Sequence, residues 1–215
     1  MTQLVLASRS PQRRAILEQL GVAFTVVVSD AEELMGGDDP CALAVSNAVA
    51  KAQAVWRAGP VAGEDDSAGG AADIVSPAPP ARSAPLVLGV DTVVVLDGVI
   101  YGKPADAAEA RAVLARLSGR VHEVVSGIAV VEGDAAAPQV RTASATTRVT
   151  FRQIDQSTLD WYLATDEWQE RAGGYAIQGR GAALVAGIDG DYLNVVGLPV
   201  TALLELLPGI LHASS

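Results

Sequence analysis

The sequence predicts an α/β fold in which a sheet is flanked by helices. Residues 86–96 are almost all β-branched or leucine, which is typical of a strand buried on both faces at the middle of a sheet. Residues 3–7 read as a short buried strand that leads directly into a helical pattern over 11–20. Residues 121–131 and 141–151 are longer β-rich segments joined by a Gly/Asp/Ala/Pro loop, which predicts a hairpin.

Turn and capping residues set the ends of several predicted elements. Ser10 is a good N-cap for the first helix, Pro11 suits its first position and Gly21 suits its stop. Asp97-Gly98 predicts a tight turn after the central strand. The other predicted elements are a strand at 24–28, helices at 40–57, 106–117, 155–164 and 199–207, and a closing hairpin made of 182–188, the turn Asp189-Gly190 and 192–196.

One segment has a different composition from the rest. Residues 58–85 are dominated by Gly, Ala, Pro, Asp and Ser, which predicts a flexible insertion rather than a domain boundary. The chain has 215 residues, half of them hydrophobic, so it can bury a full core. We therefore expect one domain over residues 1–215, interrupted by this insertion.

Composition excludes several classes of protein. A net charge of −10 argues against a nucleic-acid-coating surface, so an anionic ligand would need a local cationic pocket. One cysteine and two histidines leave no disulfide framework and little for a zinc site. No apolar run reaches membrane-spanning length and the N-terminus lacks a leader pattern, so we expect an unprocessed, cytoplasmic protein.

Asp91 is the first candidate functional residue, because it lies alone in the apolar central strand. A buried charge has to be neutralised, hydrogen-bonded or matched by a cation. Either Asp91 is functional, or it is a structural carboxylate held by backbone N–H groups. The turn at Asp97-Gly98 can fold Lys103 back towards it.

The N-terminal helix carries two arginines in its first turn, where cations oppose the helix dipole. Arg13 shares the face of Ile16 and Leu17 and should point towards the sheet, whereas Arg14 can pair with Glu18 on the surface. A strand that leads into such a helix is a natural phosphate site.

Three other stretches allow a functional and a structural interpretation. Glu33 ends an acidic cluster after a strand, which suits a hard metal or a solvated loop. Lys51 lies at the edge of an apolar helix face, where snorkelling is the alternative. The glycine-rich segment 172–181 offers Tyr175 and Gln178 to a nucleotide base, or is a simple connector. For His122, at a strand end, a structural role is expected.

Six stretches in order resemble the Maf-like nucleoside triphosphate pyrophosphatases, from Leu4 almost to Leu207. They are Leu-Ala-Ser-Arg-Ser-Pro-Gln-Arg-Arg (6–14), Gly-Val-Asp-Thr-Val-Val (89–94), Gly-Lys-Pro (102–104), Leu-Ser-Gly-Arg-Val-His-Glu-Val (117–124), Ala-Gly-Gly-Tyr-Ala-Ile-Gln-Gly (172–179) and Asn-Val-Val-Gly-Leu-Pro (194–199). The resemblance implies a mixed, twisted sheet flanked by helices, related to inosine triphosphate pyrophosphatases, with a cleft between two lobes and often a homodimer. It also implies metal-assisted hydrolysis of a nucleoside triphosphate to the monophosphate and pyrophosphate.

The same resemblance assigns roles to residues. It implies that Asp91 is the general base and that Glu33 and Asp91 hold Mg²⁺ or Mn²⁺. The residues that would line the phosphate site are Ser8, Arg13, Lys51 and Lys103. In the branch that prefers dTTP and UTP three positions matter, and they match Gln12, Thr92 and Gln178. Thr92 and Gln178 agree with that branch, whereas Gln12 stands where it usually has arginine, so the base preference stays open.

Two other functions fit the resemblance. One is a non-catalytic nucleotide-binding regulator of cell division and septum formation, which would bind without turnover. The other is a house-cleaning hydrolase of modified nucleotides. A screen of pyrophosphate release across canonical and modified triphosphates separates all three.

Deleting residues 62–82 should leave pyrophosphatase activity and melting temperature nearly unchanged. A loop rich in Pro, Gly, Ala and Asp contributes few core contacts, and loop-closure entropy changes slowly with length. Steady-state kinetics and thermal melting of the deletion variant test this. A large loss of activity would mean that the insertion covers the site or mediates assembly.

Overall fold

The computed structural model describes residues 4–59, 85–134 and 137–212. Nearly all of the insertion expected over 58–85 therefore lies outside the described residues. The strands are β1 (Leu4–Ala7), β2 (Phe24–Val26), β3 (Leu86–Leu96), β4 (Val99–Tyr101), β5 (Val121–Asp134), β6 (Ala137–Phe151) and β7 (Val185–Asp189). The α-helices are α1 (Pro11–Gln19), α2 (Pro40–Ala58), α3 (Ala107–Leu117), α4 (Gln156–Leu163), α5 (Tyr192–Val196) and α6 (Val200–Leu206).

The strands form one mixed sheet in the order β2-β1-β3-β5-β6-β7, with β4 also paired to β3. β1 runs parallel to β2 and β3, and the other pairs are antiparallel. The predicted α/β class and the predicted hairpin of β5 and β6 are confirmed. The prediction that 86–96 is a central strand is also confirmed, because β3 is buried along nearly its whole length.

One edge of β3 carries two different neighbours with a gap between them. β5 pairs with β3 from Val87 to Val95 and occupies the other edge. On the open edge, β1 pairs with residues 86–89 and β4 with residues 94–96. Residues 90–93 therefore have no strand beside them on that edge in the described part of the chain. The backbone edge at the middle of the central strand is therefore unpaired in this gap, although its side chains are mostly buried.

Helix α2 packs unusually close to the sheet at two glycines. A Cβ on Gly89 would lie 2.1 Å from the carbonyl oxygen of Ala48, and one on Gly127 would lie 2.3 Å from the carbonyl carbon of Ala44. Only a residue without a Cβ allows this backbone-to-backbone contact. Gly127 is the register partner of Asp91 on β5, so the close approach brings α2 over the middle of β3.

The face of β3 that points away from α2 contributes side chains to two hydrophobic clusters. Leu88 and Val90 pack with residues of α1 and α6, whereas Val94 and Leu96 pack with residues of α3 and α4. Alternate residues of a strand point to the same face, so Thr92 lies between the two clusters on that face. The gap in the sheet and the boundary between the clusters coincide.

The predicted closing hairpin is wrong in its second half. β7 pairs with β6, but residues 192–196 form helix α5. The side chain of Asp191 accepts a hydrogen bond from the N–H of Leu193 and caps this helix. Asn194 is buried and donates to Val124 O at 3.0 Å, so tertiary contacts override the β-rich composition. Residues 182–184, expected to begin the strand, belong instead to a 3₁₀ helix over Gly179–Leu184.

None of the helices in the described ranges is long and apolar enough to cross a membrane.

His122 is a buried core residue, in line with the structural role expected for it. Its Nε2 lies 2.9 Å from the hydroxyl of Tyr175, and its ring makes edge-to-face contacts with Phe151 and Tyr175. Burial lowers the pKa of His122 to about 4. The imidazole is therefore neutral in the folded protein at physiological pH.

Replacing His122 with Gln should make the free energy of unfolding less dependent on pH in mild acid. The histidine of the unfolded chain takes up a proton near pH 6.5, but the folded one does so only near pH 4. The stability that the buried, neutral His122 contributes is therefore complete above pH 6.5. It is lost as the pH falls towards 4, and the free energy of unfolding decreases by about 3 kcal/mol in all. Urea unfolding of wild type and His122→Gln from pH 7.5 to 4.5 measures this. A stability difference that stays constant with pH would contradict it.

Candidate functional site

A cavity of about 840 Å³ opens at the gap in the sheet. Its wall is built from the end of β1, the start of α1, residues 29–35, helix α2, the middle of β3, the segment after β4 and residues 170–178. Because the edge of β3 is open there, Asp91 and Thr92 both line the cavity although they point to opposite faces. The residues that the sequence singled out are thus brought to one place.

Asp91 is buried and is held by two side chains of α2. Its Oδ1 accepts a hydrogen bond from Lys51 Nζ at 2.6 Å, and its Oδ2 accepts one from Asn47 Nδ2 at 3.0 Å. The alternative of a carboxylate satisfied by backbone N–H groups does not match these partners. Sequence reasoning missed Asn47, although its spacing of four residues from Lys51 places both on one helix face.

Lys51 bridges two carboxylates. Its Nζ lies 2.6 Å from Asp91 Oδ1 and 2.8 Å from Glu33 Oε1. The side chain is buried, with 8% of the residue exposed, so it does not snorkel to solvent. Burial alone would raise the pKa of Glu33, but the hydrogen bond and charge of Lys51, with Lys103 and Arg13, lower it overall. Glu33 is therefore a carboxylate at neutral pH.

Asn47 also fixes the segment that carries Glu33. The N–H of Leu34 donates to Asn47 Oδ1 at 2.8 Å, and Asn47 Nδ2 donates to the carbonyl of Leu34 at 3.0 Å. The loop beside Glu33 is thus tied to the same amide that orients Asp91. One helix, through two side chains, positions both carboxylates of the site.

Arg13 points inward, as the helical periodicity predicts. Its guanidinium donates to the carbonyl of Gly197 at 2.8 Å, to Ser8 Oγ at 3.0 Å and to Thr92 Oγ1 at 3.1 Å. Burial lowers its pKa, while the charges of Asp91 and Glu33 oppose that shift. An arginine stays protonated in proteins, and three of its five donors are used here, which leaves two for a ligand. Arg14 instead forms the expected exposed pair with Glu18, at 2.8 Å.

Lys103 lines the cavity, but it forms its ion pair with a carboxylate other than Asp91. The turn at Asp97-Gly98 forms with both residues at positive φ, which suits a two-residue hairpin. The ion pair of Lys103 is with Glu170, at 3.2 Å, and half of the lysine side chain is exposed. The hairpin thus brings Lys103 to the cavity, where its charge acts on Glu33.

Gln12, Thr92 and Gln178 all line the same cavity. Thr92 shares a hydrogen bond of 2.9 Å with Ser126 and accepts one from Arg13. Gln12 Oε1 accepts a hydrogen bond of 2.7 Å from an arginine that sequence reasoning did not select, Arg171. Arg171 follows no pattern that would have marked it, because it precedes the glycine-rich segment in a loop.

The lining of the cavity is cationic relative to the chain as a whole. It contains five cations, Arg9, Arg13, Lys51, Lys103 and Arg171, and four carboxylates, Asp30, Glu33, Asp91 and Glu170. The complete sequence has a net charge of −10. The lining therefore has a small excess of positive charge, which favours an anionic ligand in an otherwise acidic protein.

The donor set suits a hard divalent cation. The oxygens of Glu33 and Asp91 converge on one positive charge, the ammonium of Lys51. Within the described ranges there is no group of three or more His, Cys, Asp or Glu side chains that could hold a metal alone. Mg²⁺ is usually bound by one or two carboxylates together with substrate phosphates, so two carboxylates beside an anion site fit it.

Comparison with known proteins agrees with this geometry. Residues 3–210 match the family model described as Maf-like protein. The chain is 41% identical over 208 residues to the dTTP/UTP pyrophosphatase of Symbiobacterium thermophilum, which covers 96% of this chain and 93% of that protein. It is 44% identical to the dTTP/UTP pyrophosphatase of Moorella thermoacetica, with 96% and 94% covered. The protein of that name from Pyrococcus furiosus is 37% identical, with 96% and 95% covered.

Arg13→Ala should lower kcat/KM for hydrolysis of a nucleoside triphosphate by roughly ten- to a hundredfold. The substitution removes charge-assisted hydrogen bonds from a buried cation beside the cavity. It should also lower the melting temperature, because the carbonyl of Gly197 loses its donor.

Arg14→Ala is the matched control, since the neighbouring arginine forms only a surface pair worth about 0.3–0.5 kcal/mol. Steady-state kinetics on both variants, with thermal melting, make the comparison. Equal losses of kcat/KM would contradict the separate roles of the two arginines.

Proposed function

The chain belongs to the Maf-like protein family, and we propose from this that it is a nucleoside triphosphate pyrophosphatase acting on dTTP and UTP. The observation that carries the proposal is the buried Asp91, held by Lys51 and Asn47 in a cationic cavity. The names of the similar proteins support the choice of substrate. The family match over residues 3–210 supports a single domain.

In this proposal Asp91 is the general base that takes a proton from the attacking water. A carboxylate has about four lone-pair positions. Lys51 and Asn47 use two of them and fix the plane of the carboxylate, which leaves positions that face the cavity. An oriented base of this kind typically contributes about 10²–10⁴-fold to a rate.

The cations of the cavity would bind the triphosphate and neutralise the charge that builds up as pyrophosphate leaves. Arg13 offers its remaining donors from its buried position in the cavity wall, where Ser8 and Thr92 hold it in place. Lys103 lies nearer to solvent and can exchange its pair with Glu170 for a phosphate. Phosphoryl transfer depends mainly on such positioning and charge stabilisation, rather than on covalent chemistry.

Glu33 and Asp91 would hold a divalent cation, Mg²⁺ or Mn²⁺. Such a cation supplies charge neutralisation on phosphate oxygens and lowers the pKa of a bound water. Lys51 contacts both carboxylates and balances one of their two negative charges. With the cation bound, the ammonium of Lys51 would be able to donate to a phosphate oxygen.

Asp91→Asn should reduce pyrophosphate release from dTTP by about 10²–10⁴-fold while the protein stays folded. The amide keeps the shape of the side chain and loses the base. Asp97→Asn is the matched control: Asp97 lies in the turn that follows the same strand, is exposed and forms a surface salt bridge with Arg120. Asparagine also tolerates the positive φ of that position.

The assay measures pyrophosphate from dTTP and UTP with Mg²⁺, with Mn²⁺ and with a chelator, and melting curves check folding. Retention of a tenth or more of wild-type turnover in Asp91→Asn would remove the base role. A wild-type protein that binds nucleotides without releasing pyrophosphate would instead be a regulator, and the proposed function would fall.

A further inference from the structure

The segment that carries Arg171 is fixed rigidly to the β3–β4 hairpin. The N–H of Gly173 donates to the carbonyl of Gly102 at 2.9 Å. A Cβ on Gly173 would lie 2.8 Å from the side chain of Val94, and its φ of +66° is one that L-residues rarely adopt. Glu170 also has a positive φ, of 58°. Such strain in a non-glycine residue persists only where the surrounding structure imposes it, so the direction of Arg171 is well defined.

The Arg171 side chain joins two walls of the cavity. Its Nη1 donates to Gln12 Oε1 at 2.7 Å, which links residues 159 positions apart in the chain. Both residues line the cavity. The Nε of Arg171 is buried and has no hydrogen-bond partner among the residues that the structure describes. A buried donor without an acceptor is costly, so this guanidinium has hydrogen-bonding capacity that the described residues do not use.

Arg171 also keeps its charge available. Lys51 is neutralised by Asp91 and Glu33, and Lys103 by Glu170. The partner of Arg171 is a neutral amide, which accepts a hydrogen bond without cancelling the charge. Gln12 therefore orients the guanidinium and leaves its other donors for a substrate.

We propose that Arg171, oriented by Gln12, reads the carbonyl oxygens of a pyrimidine base and is a specificity-determining residue. The proposal rests on the function proposed above. Uracil and thymine carry carbonyl oxygens at both C2 and C4, whereas cytosine carries an amino group at C4. A guanidinium donates only, so it pairs with a carbonyl and leaves an amino group unpaired. Arg171 directly precedes the glycine-rich segment 172–181, which is expected to face a nucleotide base, and Gln178 of that segment lines the same cavity.

The test compares substrates within each variant. Arg171→Met removes the donors and keeps much of the side-chain volume. We expect kcat/KM for UTP and dTTP to fall by roughly ten- to a hundredfold, and kcat/KM for CTP and dCTP to change by less than about threefold. The preference for UTP over CTP should then collapse. Gln12→Met should reduce the same preference by a smaller factor, and Arg171→Lys should restore part of it.

Arg180→Met is the matched control, since Arg180 is an exposed arginine in the glycine-rich segment that follows Arg171, and it lies outside the cavity lining. This substitution should leave kcat/KM for UTP, dTTP, CTP and dCTP unchanged. Equal losses on all four substrates in Arg171→Met would place Arg171 on the triphosphate and overturn the proposal. So would an unchanged UTP/CTP ratio, which is the result a purely structural role gives.

The two proposals fail in different ways. If the wild type releases pyrophosphate from dTTP and the ratio does not move in the variants, the proposed function stands and the role of Arg171 falls. If the wild type turns over no pyrimidine triphosphate, both fall. Should Arg171→Met not fold, Gln12→Met and Arg171→Lys still decide the question through the same ratio.

Discussion

The ion pair between Lys51 and Asp91 joins helix α2 to the central strand inside the protein. Removing two charges from water costs several kcal/mol for each ion, and only close, well-satisfied geometry repays it. Here Asn47 satisfies the second carboxylate oxygen, and Glu33 gives Lys51 a second anion. The pair therefore forms only if α2 lies close to β3. The sheet has to allow this close approach.

The sheet meets that requirement through small residues and an interrupted edge. Gly89 and Gly127 let the backbone of α2 approach the strands directly. On the open edge of β3, β1 ends opposite Gly89, and the pairing with β4 starts only at Val94. Asp91, Thr92 and Val93 consequently line the cavity at the edge of the sheet instead of being covered by another strand. A continuous neighbour there would enclose Asp91 completely and leave no space for a substrate.

Local patterns in the sequence predicted the parts of this arrangement that depend on local physics. The inward direction of Arg13 and the surface pair of Arg14 follow from the 3.6-residue period alone, and both are present. The strand around Asp91 follows from its run of valines. The partners of Asp91 could not be predicted, because they depend on which helix crosses β3 and how closely. That distance is set by Gly89 and Gly127, whose role shows only when the two backbones meet.

The predictions that were wrong or missing have the same physical origin, namely contacts between segments that are distant in sequence. Residues 192–196 have a β-rich composition, but the Asp191 cap and the buried contacts of Asn194 make them helical. Lys103 was expected to approach Asp91, but the salt bridge it forms is with Glu170, which lies far from it in sequence. Arg171 carries no local signal at all, since its importance arises from a hydrogen bond to Gln12 across the cavity. Each of these features depends on contacts between distant segments.

The charge balance of the cavity connects the fold to the proposed chemistry. Its lining has one more cation than carboxylate, and two of its cations are already neutralised by those carboxylates. A nucleoside triphosphate carries more negative charge than that excess can balance. In the proposed function, positive charge therefore has to enter with the substrate, and a divalent cation would bind at Glu33 and Asp91, whose oxygens converge on a single ammonium. Lys51 contacts both carboxylates in the free protein, so the buried Asp91 is not left as an unpaired anion.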